Sequence, residues 1–251
     1  EIVPGTQHTA YFLPVLAMFF PSIMYFKKRK IMNIVFCVLT AFFCYTALVT
    51  KSRMQLVIFV IVCLVQMFLF LILEKEKTKK ILSCKMTWAV VAAVVFVFIV
   101  GFLMVKDTKV VAAFIDNLGA DGGILKNARF DGQRLALGQL FVYPMGGRLM
   151  DFGALHNYCH NTWLDMANAS GVIPFFSFAI YTIYTLFILV KFLGKKEVSS
   201  EIRIVAAGLY LSFFLYMTVE SVFDASIHLL TPWIWVNALI HGYLSLSKKC
   251  V

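Results

Sequence analysis

Met54–Leu73 reads MQLVIFVIVCLVQMFLFLIL, and away from its ends the stretch carries one polar side chain, Gln66. Twenty apolar residues in a helix rise about 30 Å, the thickness of a bilayer's hydrocarbon core. Working outward, similar apolar runs cover 10–26, 31–50, 86–105, 171–190, 204–219 and 232–247. The first is short and holds Pro14 and Pro21, which predicts a kinked or incomplete helix. Composition agrees with this reading: 61% of the 251 residues are hydrophobic, 14% are charged and mean hydropathy is +0.84. A soluble domain is closer to half apolar and a quarter charged. A cytosolic enzyme, a disordered tail and a secreted disulfide scaffold are all excluded. The expected fold is an all-α integral membrane protein, a bundle of about seven transmembrane helices with one long outward-facing loop. Residues 1–105 would hold helices 1–4, 106–170 the extracytoplasmic loop and 171–251 helices 5–7.

Charge sets the expected orientation. The chain has 23 Lys and Arg against 13 Asp and Glu, a net charge of +10. The cations cluster in alternate connections: Lys27–Lys30, then Lys75, Lys77, Lys79, Lys80 and Lys85, then Lys191, Lys195, Lys196 and Arg203, and finally Lys248 and Lys249. The intervening connections are poorer in Lys and Arg, and the 65 residues from Lys106 to Ser170 are nearly balanced. By the positive-inside rule the basic connections face the cytoplasm and the long loop faces outward. The excess charge is thus accounted for by membrane anchoring, and no nucleic-acid partner is expected. The six cysteines give no disulfide framework; Cys159, in the polar loop, is expected to be a free thiol. The chain opens on Glu1 without the layout of a signal peptide, which suggests the C-terminal portion of a longer polytopic protein.

Candidate chemistry gathers on the outward side. Thr50-Lys51-Ser52-Arg53 stands where the second run gives way to the third. An arginine there either snorkels or faces a lipid phosphate or diphosphate, whose oxygen pairs a guanidinium binds bidentately. Arg129 precedes an amphipathic stretch, Gln133–Tyr143, with Leu135, Leu137, Leu140 and Phe141 expected on one face of a short helix. Pro144-Met145-Gly146-Gly147-Arg148 should end that stretch sharply. The third feature is His156-Asn157-Tyr158-Cys159-His160-Asn161-Thr162-Trp163-Leu164-Asp165. Two histidines four apart suggest zinc, but the glutamate of a His-Glu-x-x-His site is missing and one thiolate is too few. A neutral imidazole near working pH instead suits proton abstraction from a sugar hydroxyl. Were residues 156–164 helical, both histidines would share a face. Glu220, Asp224 and His228 have the spacing of one helical stripe, whose simplest role is to cap the membrane surface. Tyr181, Tyr184, Trp233 and Trp235 are expected to be belt and packing residues.

Together these motifs resemble the bacterial O-antigen ligases and Wzy-type polysaccharide polymerases. The resemblance rests on His160-Asn161-x-x-Leu164 with Gly171 at offset 11, where the family continues Gly-x-x-Gly and this chain has Pro174 at the last position. Arg129 stands 15 residues before Pro144, with Gly147 three further on, like the family's Arg…Trp…Pro-x-x-Gly; Gln133 takes the place of the Trp. The likeness covers residues 40 to 190, about three-fifths of the chain, and family members usually carry around a dozen helices. It implies metal-independent, inverting glycosyl transfer from an undecaprenyl-diphosphate-linked oligosaccharide at the outer face of the cytoplasmic membrane, with no cofactor. Arg53 and Arg129 would stabilise the departing diphosphate and His160 would act as general base. His156, Asn161, Arg148 and Arg134 would bind substrate. Partners would be the lipid-linked glycan, the bilayer and polysaccharide chain-length or export proteins. Repeat-unit polymerisation is favoured over ligation to a lipid or cell-wall acceptor, because the family's polymerases are the more varied and this chain departs at Gln133 and Pro174. A non-catalytic flippase or permease is the other alternative; it predicts charges within the spans, whereas here they lie at the ends.

Overall fold

The computed structural model describes residues 13–25, 30–49, 53–83, 128–153, 159–220, 222 and 229–249. Among these are nine helices and no strand. They are α1 (Leu13–Met24), α2 (Lys30–Val49), α3 (Arg53–Leu73), α4 (Lys75–Ser83), α5 (Ala128–Gln139), α6 (Thr162–Ser170), α7 (Val172–Leu193), α8 (Ser200–Val219) and α9 (Leu230–Lys249). Four are long and apolar enough to cross a membrane: α2, α3, α7 and α8. The apolar run of α1 is shorter. α9 has the length but carries Asn237, His241, Ser245 and Ser247 and is not one of the four. The 86–105 run, and the long loop up to residue 127, lie outside the described residues.

The bundle is organised around α8, which packs against α1, α3, α6, α7 and α9. Its small residues Ala206, Ala207 and Gly208 are buried, as are Tyr210, Phe213, Tyr216 and Met217, and these join Ile58 and Val62 of α3 and Trp233 of α9 in one core. The surrounding helices present large apolar side chains outward: Val60, Leu64 and Phe68 on α3, and Ile180, Ile183, Phe187 and Val190 on α7. In water such faces would be costly; against lipid tails they lose nothing. Trp233 is wholly buried against Tyr181, Tyr210 and Phe178, a packing residue, while Trp235 is exposed.

One contact explains how α1, α3 and α8 come together. Pro21 lies inside α1 and has no N–H, so the carbonyl of Ala17, four residues earlier, lacks its intrahelical donor. Gln66 supplies one from the middle of α3: its Nε2 donates to Ala17 O at 2.7 Å and to Ile204 O of α8 at 3.2 Å. Both Ala17 and Gln66 are fully buried. A Cβ at Gly208 would overlap the Gln66 amide, so a larger residue there would displace Gln66 from this contact.

α3 and α8 run antiparallel. Glu74, just after α3, accepts from Tyr25 Oη (3.1 Å), from Lys77 Nζ (3.0 Å) and from Ser200 Oγ at the start of α8. Burial pushes the Glu74 carboxyl upward, but the Ser200 and Lys77 bonds outweigh it and hold the group below the usual carboxylate range. With Glu74 at the head of α8 and Gln66 beside Ile204, Arg53 begins α3 at the end of the bundle where α8 finishes at Val219.

Candidate functional site

The residues of interest converge where α8 ends. Asn161 is the N-cap of α6: its Oδ1 accepts from Leu164 N at 3.2 Å, one of the first-turn amides that have no intrahelical partner. Its Nδ2 donates to Thr218 O of α8 at 3.4 Å. Asp165, fully buried one turn into α6, accepts from the backbone amides of Cys159 (2.9 Å) and Asn161 (3.2 Å). Its carboxylate therefore clasps the amides on both sides of His160. Gln133 of α5 donates to His160 O (3.3 Å) and to Thr218 O (3.4 Å). Held from three sides, His160 adopts φ 55°, in the left-handed region that non-glycine residues rarely enter. Strain of that kind costs about 1–3 kcal/mol and persists where the surroundings over-determine it.

In this turn His160 Nδ1 lies 3.1 Å from Glu220 Oε2. The two side chains keep 20% and 13% of their surface exposed, enough for a small polar group to reach them. Glu220 is the residue after α8, with extended backbone (φ −138°, ψ 153°); its carbonyl accepts from Thr162 Oγ1 at 3.0 Å, and Thr162 Oγ1 in turn accepts from Val222 N. A carboxylate only accepts hydrogen bonds, so an ionised Glu220 places the imidazole proton on Nδ1 and the lone pair on Nε2. That tautomer is the one a general base needs.

Two further pieces brace the turn. Val172 N donates to Pro144 O (2.9 Å), Gly147 N to Ala169 O (3.3 Å) and Arg148 N to Asn168 O (2.7 Å), while the buried Asn168 Oδ1 accepts from Met150 N (3.0 Å). A Cβ at Gly171 (φ 93°) would overlap Pro144 O, and one at Gly146 (φ 76°) would lie 2.6 Å from Gly171 N. The Pro144–Gly147 stretch and Gly171 are thus one contact, with Ala136, Leu140, Met150, Phe152, Cys159, Leu164 and Ala167 forming a small core beneath it. Pro174 falls in the first turn of α7, where a missing N–H leaves no intrahelical bond unmade.

Several expectations are corrected. Of the Glu220, Asp224 and His228 stripe only Glu220 is described: α8 stops at Val219 and Glu220 turns toward α6, while Asp224 and His228 lie outside the described residues. Residues 156–164 are not one helix either: α6 starts at Thr162, after the His160 turn, and His156 lies outside the described residues. On α5 and the turn that follows it the buried residues are Gly132, Ala136 and Leu140, with Leu135, Leu137 and Phe141 exposed.

The arginines are distributed around this centre. Arg129 stands in the first turn of α5, four residues before Gln133. Arg53 opens α3 at this end of the bundle. Arg134 is exposed, and Arg148 (φ 60°) is exposed on the turn against the far end of α6. Asn161 spends both ends of its amide on holding the turn, so its observed role is positional. Cys159 is an unbridged, fully buried thiol, pushed well above its ordinary range by burial and by the Asp165 carboxylate. Among the described residues no group of three or more His, Cys, Asp and Glu is arranged to hold a metal ion. Gln133 stands out in the sequence only as a departure at the family's Trp position, and Asp165 only as an acidic residue in the first turn of a capped helix; neither shows there that it holds the His160 turn.

Compared with known proteins, the chain matches no family model, no curated protein and no solved structure.

Proposed function

We propose that this chain is a membrane glycosyltransferase, a repeat-unit polymerase that uses undecaprenyl-diphosphate-linked oligosaccharide at the outer face of the cytoplasmic membrane. Seven crossings with the 106–170 loop outward belong to the same reading. The observation that carries it is the His160–Glu220 pair at 3.1 Å, held in a strained turn at the end of a bundle built for a bilayer. The acceptor sugar's hydroxyl gives its proton to His160 Nε2 as its oxygen bonds to the anomeric carbon of the donor. The bond from that carbon to the diphosphate breaks, and its electron pair leaves on the lipid diphosphate. Attack opposite the leaving group inverts the anomeric centre. The negative charge that develops needs fixed cations; Arg53 and Arg129, in the first turns of α3 and α5, are the residues assigned that role. The co-packing of Pro144–Gly147 with Gly171 supports the resemblance, since it joins two of its motifs in space.

The experiment is glycan assembly in membranes carrying the protein and its lipid-linked donor. Loss of a general base costs about 10²–10⁴ in rate. His160→Ala should abolish assembly at normal expression, while His156→Ala leaves a measurable part. The reverse ranking would move the base to His156, and mild effects from both would remove acid–base catalysis from this loop. A ladder of products identifies a polymerase; a single transfer to a lipid or cell-wall acceptor identifies a ligase.

A further inference from the structure

At the opposite end of the bundle an apolar groove of about 330 Å³ runs between α8 and α9. Ile202 and Leu209 form one wall, Leu239 and Tyr243 the other, and Phe192 and Val198 close its end. Ile202 and Leu239 are exposed, so the groove opens sideways, toward the hydrocarbon around the helices. Phe192, in the last turn of α7, and Val198, just before α8, flank the stretch of the α7–α8 connection that carries Lys195 and Lys196. This connection is short and fixed at both sides. Gly194 N and Lys195 N bond Val190 O and Phe192 O, the last carbonyls of α7, and Ser199 caps α8.

The charge at this end is positive. In and beside the connection four cations, Lys191, Lys195, Lys196 and Arg203, stand against two carboxylates, Glu197 and Glu201; Glu74, also at this end, is paired with Lys77. Lys191 lies over the Phe187 ring, on a different side of α7. Arg203, nine-tenths buried, donates from Nη1 to Leu193 O at 2.9 Å; its Nε has no hydrogen-bond partner among the described residues. It adds a fixed positive charge behind the connection, and α9 ends nearby on Lys248 and Lys249, a turn and a half beyond Tyr243. A groove with apolar walls and lateral access, whose closed end adjoins the connection that carries Lys195 and Lys196, matches an anionic phospholipid: one chain along the helices, the phosphate at that connection. Basic recesses between membrane helices select such headgroups.

We infer that the α8–α9 groove is a binding site for one anionic phospholipid, its phosphate held by Lys195 and Lys196. The inference does not depend on the transferase reading. The test uses the full chain in phosphatidylcholine vesicles containing a trace of phosphatidylglycerol, or of phosphatidylcholine, with a photoreactive acyl chain; crosslinks are mapped by mass spectrometry. Phosphatidylglycerol should label α8–α9 peptides on the order of tenfold more than phosphatidylcholine. Lys195→Gln combined with Lys196→Gln, both outside the core, should abolish that preference. Ala206→Trp, which fills the groove, should lower labelling there by both lipids. Equal labelling by the two lipids in the unaltered protein would reduce the site to ordinary boundary lipid. A preference that survives in the double lysine variant would also overturn the inference, and this arm stands even if Ala206→Trp fails to fold.

Discussion

Two glutamates mark the two ends of this bundle, and they are used differently. Glu74 spends its carboxylate on structure, drawing in a phenol, a hydroxyl and an ammonium from α1, α8 and α4. Glu220 holds the fold with its main chain, bonded to Thr162 and Tyr216, and turns its carboxylate to a titratable ring. A carboxylate whose charge is consumed by helix packing has little left to offer a reaction. One that orients an imidazole sets which nitrogen can take a proton. The contrast separates a fastening from a candidate catalytic pair on chemistry alone.

The sharpest way to break this comparison is to neutralise each glutamate in turn. Glu220→Gln should lower glycan assembly by about 10²-fold, of the order seen when a group supporting a general base is lost, with little change in thermal stability. Glu74→Gln should do the opposite, and matching effects at both ends would erase the distinction. Arg53→Lys and Arg129→Lys keep the charge but lose the bidentate fork. Each should reduce assembly by roughly 10²-fold; normal assembly in both variants would make these arginines anchors. Asp165→Ala leaves the Cys159 and Asn161 amides unpaired, which should destabilise the loop by about 1–3 kcal/mol. Scanning calorimetry would read this, and an unchanged melting temperature would show that the His160 turn is held without Asp165. Smaller still, Gly208→Ala should cost about 1–2 kcal/mol by displacing Gln66, leaving activity per folded molecule intact. The weakest effect concerns pH. The Glu74 carboxyl is depressed in the fold, so its stabilisation is complete above the ordinary carboxylate range. It should fade as pH falls through the folded value, and Glu74→Gln should flatten the acid limb of the unfolding curve.

Much of this architecture was legible before any coordinates. The 54–73 run became α3 nearly residue for residue, because an unbroken apolar stretch with one interior glutamine allows few alternatives. Pro144, Gly147 and Gly171 were singled out by spacing, and the structure shows why such residues suit their places: the backbones of Pro144–Gly146 and Gly171 touch. The end of α8 at Val219 coincides with the end of the 204–219 run. What the run could not show is the turn beyond it, where Glu220 O accepts from Thr162 Oγ1 of α6 and from the nearby Val222 N. The start of α8 was misjudged by four residues for a simpler reason. Its first turn, Ser200–Arg203, is polar, so hydropathy missed what the Ser199 cap marks. The role of Gln133 was equally hidden, since only the fold brings His160 O and Thr218 O within reach of one amide.

The proline in α1 bears on the order in which the bundle assembles. On its own, α1 carries an Ala17 carbonyl that no residue of its own helix can satisfy, and hydrocarbon offers no substitute donor. Gln66 of α3 is the donor it acquires, and the same amide reaches Ile204 of α8. The three helices lie far apart in the chain, so the Ala17 carbonyl finds its donor only in residues that come much later in the sequence. A single side-chain amide thereby ties the completion of the earliest of the three helices to those that come after it.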